Sequence, residues 1–420
     1  MLFKKVAQFI TGMVLFSALS VQAATDIRVW CWDTNFNIKA VRDAAAVYRK
    51  NHPDINIVVD NVEKAVILQR INDAIATKDF SQLPDIFLIE DYSSRNYVIN
   101  HPDLLKDLSS YINKDDFVDF KVSISSNDGK IYGVPFDSGV AALFVRMDLF
   151  EEAGYTIEDF NDLTWDKFIQ MGRKVRATTS IPLLPYDIND LQEIRIMMQS
   201  AQAWYTDIND ESKVTIANNA ALKESMQHFR RMNYSGLLVK YNGWDDFLRT
   251  FQRGKVAAVL AGCWLTPSIE ATLSQYNDWR VLPIPKLNTP NATQFSNVGG
   301  SQWFVNNSSP RADEAAKFLA ETFGKDRNFI NKLIPRIGII SAVKHTDVLP
   351  NYQKPNAFFG KQLVYMRFTN WNEQVPPVNY GTHTRLVESS VQNALAKYLQ
   401  GADLQTVLLE AQQEAQTNLQ

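Results

Sequence analysis

Between Asp26 and Asp91 the chain alternates β-forming runs with helix-periodic runs, and this alternation constrains the fold more than any other feature. DIRVWCW (26–32) reads as a short buried strand. Residues 37–50 read as a helix with Val41, Ala44, Ala45 and Tyr48 on one face, stopped by Asn51-His52-Pro53. INIVVDNV follows as a second strand. Residues 64–78 form an amphipathic helix with Leu68, Ile71 and Ile75 inward. Pro84-Asp85 then leads into a third strand, IFLIED. Strand, helix, strand, helix, strand at this spacing is βαβ architecture with a parallel sheet, an α/β fold.

Further along, NDGKIYGVPFDSG (127–139) marks a turn and a strand, followed by a second apolar strand, AALFVRMDLF. A helical region is expected from Thr164 past Met232. FQRGKVAAVLAGCW (251–264) reads as a buried strand that breaks at Gly262 and then presents Trp264. WRVLPIP (279–285) is a strand, and NVGGSQWFVNNSSP (297–310) is a strand interrupted by two glycines. Residues 312–323 and the last forty residues are expected to be helical, with Leu395, Tyr398 and Leu399 in the core. A chain of 420 residues is too long for one ordinary core, so two domains are expected. The absence of a low-complexity linker suggests that the chain passes between them more than once, through strands.

Charge and cysteine content narrow the setting. With 45% apolar and 21% charged residues the chain has a globular profile. Its formal charge is −3, or −5 once Lys4 and Lys5 of the first 23 residues are set aside. A mildly acidic chain without a basic cluster argues against a nucleic-acid partner. MLFKK, the apolar VAQFITGMVLFSALS and the small residues of VQAA read as a cleavable secretion signal ending at Ala23. No later segment approaches the ~20 apolar residues of a membrane helix. Cys31 and Cys263 stand outside any lipid-attachment context, which favours a freely diffusing periplasmic protein.

The motifs of several chemistries are missing. There is no phosphate-binding glycine loop and no Gly-x-Ser-x-Gly elbow. The histidines at 52, 101, 228, 345 and 383 are widely spaced, so neither metal nor cofactor is expected, and most should lie on the surface. What remains is a set of aromatics and acids near strand ends, where open parallel sheets bind ligands. Candidate ligand contacts are Trp32, Asp33, Asn35, Asp91, Tyr92, Asp137, Trp264, Gly300, Ser301, Trp303, Trp371 and Tyr380. Flat aromatics suit the C–H face of a sugar ring, and carboxylates accept hydrogen bonds from its hydroxyls. Asp33 and Asp91 can equally be helix N-caps, Asp115-Asp116 and Asp245-Asp246 read as helix-start acids, and Trp30 reads as core.

GKIYGVPF with Asp137, FQRGKVAAVLAGCW, the strand around Gly299-Gly300 and the early WCWD, in this order behind a secretion signal, resemble the solute-binding proteins of bacterial ABC importers. The resemblance is to the carbohydrate-binding group that includes maltose-binding protein, and it covers essentially the whole mature chain. It implies a type II periplasmic-binding-protein fold: two α/β lobes joined by crossing strands, with the ligand in the cleft. It places residues 24–137 and 302–342 in the N-terminal lobe and 138–301 and 343–420 in the C-terminal lobe. It implies a monomer that delivers a sugar, expected to be an oligosaccharide, to membrane permease subunits, and it gives Trp264 the stacking role. Cys31 and Cys263 fall in opposite lobes by this mapping, so two unpaired thiols are expected, and Arg336 is a candidate near the cleft. Two other readings stay open. One is a binder of a polyol or phosphorylated polyol, which would want cations in the cleft. The other is a secreted glycoside hydrolase using Asp91 and Asp137.

Overall fold

The computed structural model describes residues 25–419, so the secretion signal expected over residues 1–23 lies outside the described residues. The alternation read from the sequence appears as β1 (Thr25–Cys31), α1 (Asn37–Tyr48), β2 (Ile55–Asn61), α2 (Lys64–Thr77), β3 (Ile86–Glu90) and α3 (Asp91–Asn100). β1 lies between β2 and β3 and pairs in parallel with both. α1 buries Val41, Ala44 and Tyr48, while Ala45 is half-buried. α2 sits slightly rotated from the expected face: Ile67, Ile71 and Ala74 are buried, and Leu68 and Ile75 pack at the margin. α2 ends where Lys78 turns left-handed.

The segment expected as two strands parted at Asp137-Ser138-Gly139 is a single strand, β4 (Gly133–Arg146), buried along all but its last residue. A side chain at Gly139 would collide with the Val298 carbonyl, so glycine lets β4 pass its neighbour without a break. Numbering the main-sheet strands onward gives β5 (Ala258–Gly262), β6 (Trp279–Leu282) and β7 (Asn297–Val305). The sheet has seven strands in the order β5-β4-β7-β3-β1-β2, with β6 also on β4. β7 runs antiparallel between β3 and the first half of β4, and β5 and β6 pair with the second half of β4.

Two lobes result. The first is built on β1, β2 and β3, the second on β5 and β6, and β4 and β7 run through both. A third crossing follows at residues 340–342, where Ser138 N–H donates to Ile340 O (3.0 Å) and Ala342 N–H to Phe136 O (3.2 Å). The region expected to be helical from Thr164 past Met232 is three helices, Trp165–Thr179, Gln192–Ser200 and Ala220–Tyr234, separated by short strands. Pro182 and Pro185 cannot continue a helix there. Phe144, Phe251, Trp279, Phe359 and Phe368 centre an apolar cluster of the second lobe, while Ile67, Phe87, Tyr97 and Phe304 seal one face of the first. Burial of such side chains contributes about 1.5–3 kcal/mol each. No described helix is long and apolar enough to cross a membrane.

Candidate functional site

A cleft of about 570 Å³ opens beyond the carboxyl ends of β1 and β3, with β4 and β7 as its floor. The turn from β1 into α1 forms one wall. Asn37 is buried, and its Oδ1 accepts from the N–H of Trp32 (3.2 Å) and Asp33 (3.0 Å). Asp33 Oδ1 accepts from the N–H of Asn35 (2.8 Å) and Phe36 (3.1 Å), which fixes the turn ahead of α1 without capping the helix itself. Trp32, Asp33 and Phe36 thereby face the cleft. Asn35 is exposed and does not line the cleft; its backbone N–H closes the turn on Asp33.

Below the floor lies a buried ionic group. Lys121, from α4 (Asp119–Ser125), donates to Asp91 Oδ1 (2.5 Å) and Oδ2 (2.7 Å) and to Ser301 O (3.0 Å). Asp91 and Lys121 side chains have no exposure. Asp91 is the first residue of α3 rather than its N-cap. It is fully buried and does not line the cleft, and its Oδ1 also accepts from Gln302 Nε2 (3.4 Å). Ser301 Oγ donates to Asp137 Oδ1 (2.5 Å), and Asp137 lines the cleft floor. Burial raises the pKa of both carboxyls above the usual range, with Lys121 opposing it. Gly299 and Gly300 have φ of 85° and 94°, which glycine alone adopts readily. A Cβ at Gly300 would lie 2.7 Å from Asp91 Oδ2 and 3.0 Å from Asp137 O, so glycine here makes room for the buried carboxylate and the β4 backbone.

The second lobe supplies the aromatic wall. Trp264 Nε1 donates to Val298 O (3.0 Å), which pins the indole edge beside β7. A Cβ on Gly262 would run into that indole, so the glycine before Cys263 makes room for Trp264. Trp244 lies 5.8 Å from Trp264, and Tyr241 and Phe247 continue the wall. Tyr92 reaches from the first lobe into the second: it stacks on Trp204 (5.6 Å), meets Tyr380 edge-on (5.0 Å) and accepts the Gly299 N–H (3.2 Å).

Three expected contacts lie elsewhere. Trp303 is fully buried against Phe323 and Phe136, because at that point β7 runs between β3 and β4, past the residues that line the cleft. Trp371 packs edge-on against Phe368 in the second-lobe core rather than in an open loop. Tyr380 is 1% exposed and supports Trp204, its hydroxyl bonded to Gln199 (2.9 Å). Arg336 pairs with Asp43 on α1 and does not line the cleft. Most of the histidines are expected at the surface; His228 is buried and bonded to Glu224 (3.1 Å). Cys31 and Cys263 are buried free thiols, Cys263 donating to Ser138 O (3.2 Å).

The cleft is acidic. Asp33, Glu90, Asp137, Asp187 and Asp190 line it against Lys64, Arg195 and Arg385. Each cation is taken: Lys64 pairs with Glu90 (3.2 Å), Arg385 with Glu90 (3.0 Å), and Arg195 with Asp190 and with Glu388 (2.9 Å). Sequence reasoning missed these cations and Trp244. The Gly243-Trp244 step resembles the Gly-x-Trp step at Gly262 and offered a signal, whereas Arg385 on an ordinary helix offered none.

Residues 37–325 match the family described as bacterial extracellular solute-binding protein, and the chain belongs to that family. A lactose-binding protein of Rhizobium radiobacter is 36% identical over 417 residues, covering 99% of this chain and 98% of the relative. An arabinooligosaccharide-binding protein of Bacillus subtilis is 23% identical over 318 residues, 72% of this chain and 70% of the relative. The fold is shared with the sugar-binding protein MalE of Xanthomonas citri, at a TM-score of 0.79 and 18% identity, covering 94% of this chain and 97% of that one.

Proposed function

We propose that this protein captures a neutral oligosaccharide, with a lactose-type disaccharide as the first candidate, and delivers it to the permease of an ABC importer. The observation that carries the reading is the cleft itself: a pinned indole, Trp264, faces a carboxylate-lined floor, and every cation lining the cleft is already neutralised. Such a site offers stacking and hydroxyl acceptors but no free cation for a phosphate, which favours a sugar over a phosphorylated polyol. The likeness to the lactose-binding relative supports the disaccharide. In this reading the protein is a periplasmic monomer after loss of residues 1–23. Its lobes comprise residues 24–137 with 302–342 and 138–301 with 343–420, and they close about β4 and β7. It is a binder and not an enzyme, and it uses no metal or cofactor. The glycosidase reading is disfavoured because Lys121 holds Asp91 beneath the floor, away from any partner role with Asp137.

Calorimetric titration with lactose, maltose, an arabinooligosaccharide and glycerol 3-phosphate tests this, with chromatography of each mixture after long incubation. Saturable binding of a neutral saccharide, recovered intact, is expected. Binding of glycerol phosphate alone, or release of monosaccharides, would overturn the reading.

A further inference from the structure

The helices Trp165–Thr179 and Ala220–Tyr234 pack against each other on the second lobe and carry seven Lys or Arg against two acids, in a chain whose net charge is negative. No basic run shows in the sequence, because these cations meet only in the fold. Both acids are used inside it. Asp166 pairs with Arg231 and accepts from Asn288 Nδ2 (2.9 Å). Glu224 accepts from the N–H of Asn288 (2.7 Å) and Thr289 (3.1 Å) and bonds His228. Among the described residues no carboxylate pairs with Arg173, Arg176, Lys223 or Arg230.

The arginines are held in place. Arg173 Nε donates to Ser235 Oγ (3.1 Å) and Arg176 Nη1 to Ser235 O (3.0 Å), just past the second helix. The Arg230 guanidinium lies over the rings of Tyr398 (4.3 Å) and Tyr234 (5.0 Å). Tyr234 is 60% exposed, and its hydroxyl donates to Leu399 O (3.1 Å). A groove of about 850 Å³ takes in Lys223, Arg230 and Tyr234, and another of about 390 Å³ takes in Arg173, Arg176 and Ser235, so the two adjoin at Tyr234-Ser235. A helix C-terminus supplies about half an elementary negative charge, which leaves most of this positive charge unanswered. None of these residues lines the cleft between the lobes. We propose that this face docks an acidic segment of a partner protein, whose carboxylates pair with Arg173, Arg176 and Arg230 around Tyr234. Arginine forks fixed in concave grooves match carboxylates at defined spacing, whereas a bilayer surface is flat and is held by clusters of basic residues without such grooves. An exposed tyrosine set among arginines also has the composition of an interface centre.

The test is fluorescence anisotropy of a dye-labelled decaglutamate peptide titrated with the protein at low and high salt, with a decalysine peptide as control. Saturable binding of decaglutamate alone, weakening as salt rises, is expected. R173Q/R176Q/R230Q should weaken it roughly tenfold or more, and K50Q/K78Q, which removes two exposed cations of the first lobe, by less than about twofold. Circular dichroism checks folding, and R230Q alone, expected to cost about two- to fivefold, carries the test if the triple variant does not fold. No binding of decaglutamate, or an equal loss in K50Q/K78Q, overturns the proposal. Co-sedimentation with phosphatidylglycerol vesicles and analytical ultracentrifugation decide between occupants. Vesicle binding without peptide binding, or self-association that the triple variant abolishes, overturns the proposal in favour of a membrane or a second copy. Lactose titration of the triple variant is expected to match wild type within about twofold, so failure here and failure of the cleft reading are told apart.

Discussion

Arg385 and Glu90 stand 295 residues apart in the chain, yet Arg385 Nη2 donates to Glu90 Oε2 at 3.0 Å. Glu90 ends β3 in the first lobe and also holds Lys64, while Arg385 opens the helix Thr384–Leu399, which packs on the second lobe. The guanidinium also lies over the Tyr92 ring (5.7 Å). The pair therefore joins the two lobes. Arg385 is half exposed, so screening limits its worth to about 0.2–1 kcal/mol. Replacing it by alanine is expected to weaken sugar binding by about two- to fivefold, mostly through faster release, and the difference from wild type should shrink as salt rises. Stopped-flow release rates at low and high salt check this. A salt-independent effect would mean that Arg385 acts through packing on Tyr92 and not as a latch.

Gly262 and Trp264 form a second dependent pair. The Gly262 backbone, with φ of −72°, suits alanine, so only the indole stands in the way of a methyl group. W264A is expected to cost binding about 2–4 kcal/mol while the fold survives, because the side chain is only partly buried. G262A should push the indole aside and lose a similar amount. The double variant should be no worse than W264A alone, since the methyl then has nothing to displace. Additive losses in titration would show that Gly262 serves some purpose other than making room for Trp264.

These relationships show what the sequence could and could not reveal. The βαβ alternation was legible because period-two and helical patterns in residues 26–91 are strong and local. Asp33, Tyr92 and Trp264 were legible as cleft residues because they follow strands directly, and strand ends define the cleft; Asp137 lines the cleft from within the unbroken strand β4. Trp303 and Trp371 misled for one physical reason: a glycine pair or polar neighbours imply exposure only when the chain stays in a loop. Trp303 lies three residues beyond Gly300 within the continuing strand Asn297–Val305, and Trp371 lies on the helix Val364–Asn372. Asp91 misled because its partner, Lys121, lies 30 residues away in a short helix. Arg385 and Arg195 were invisible because their roles come from pairings that only the tertiary fold assembles.

Lys121 carries a prediction of its own. Its ammonium compensates Asp91 where neither side chain meets solvent, so removing it leaves a buried carboxyl with no charged partner and only the long Gln302 contact (3.4 Å). K121M should lower unfolding stability by about 3–5 kcal/mol in urea melts near neutral pH. Adding D91N should restore part of the loss, because the unpaired charge goes with it. A double variant as unstable as K121M would assign the loss to the contact between Lys121 and the Ser301 carbonyl instead.

Glu193, in the first turn of the helix Gln192–Ser200, is 4% exposed beside Asp190, Asp187 and Arg195. Burial is the main cause that pushes its pKa up to about 8; a hydrogen bond from its own backbone N–H opposes this, as does Arg195 more weakly, while Asp190 and Asp187 reinforce it. The sign follows from proton counting. Between its ordinary value of 4.5 and about 8 the folded protein holds a proton that the unfolded chain has released. Stability from this group is therefore full in acid and falls as pH rises through that window. E193Q keeps the shape and removes the ionisation. A tenfold change in proton affinity is worth about 1.4 kcal/mol, so E193Q should be more stable than wild type at pH 8 by roughly 1–3 kcal/mol and nearly equal to it at pH 5. Thermal melts across this range decide the matter: parallel profiles for the two proteins would mean that Glu193 keeps an ordinary affinity for its proton in the fold.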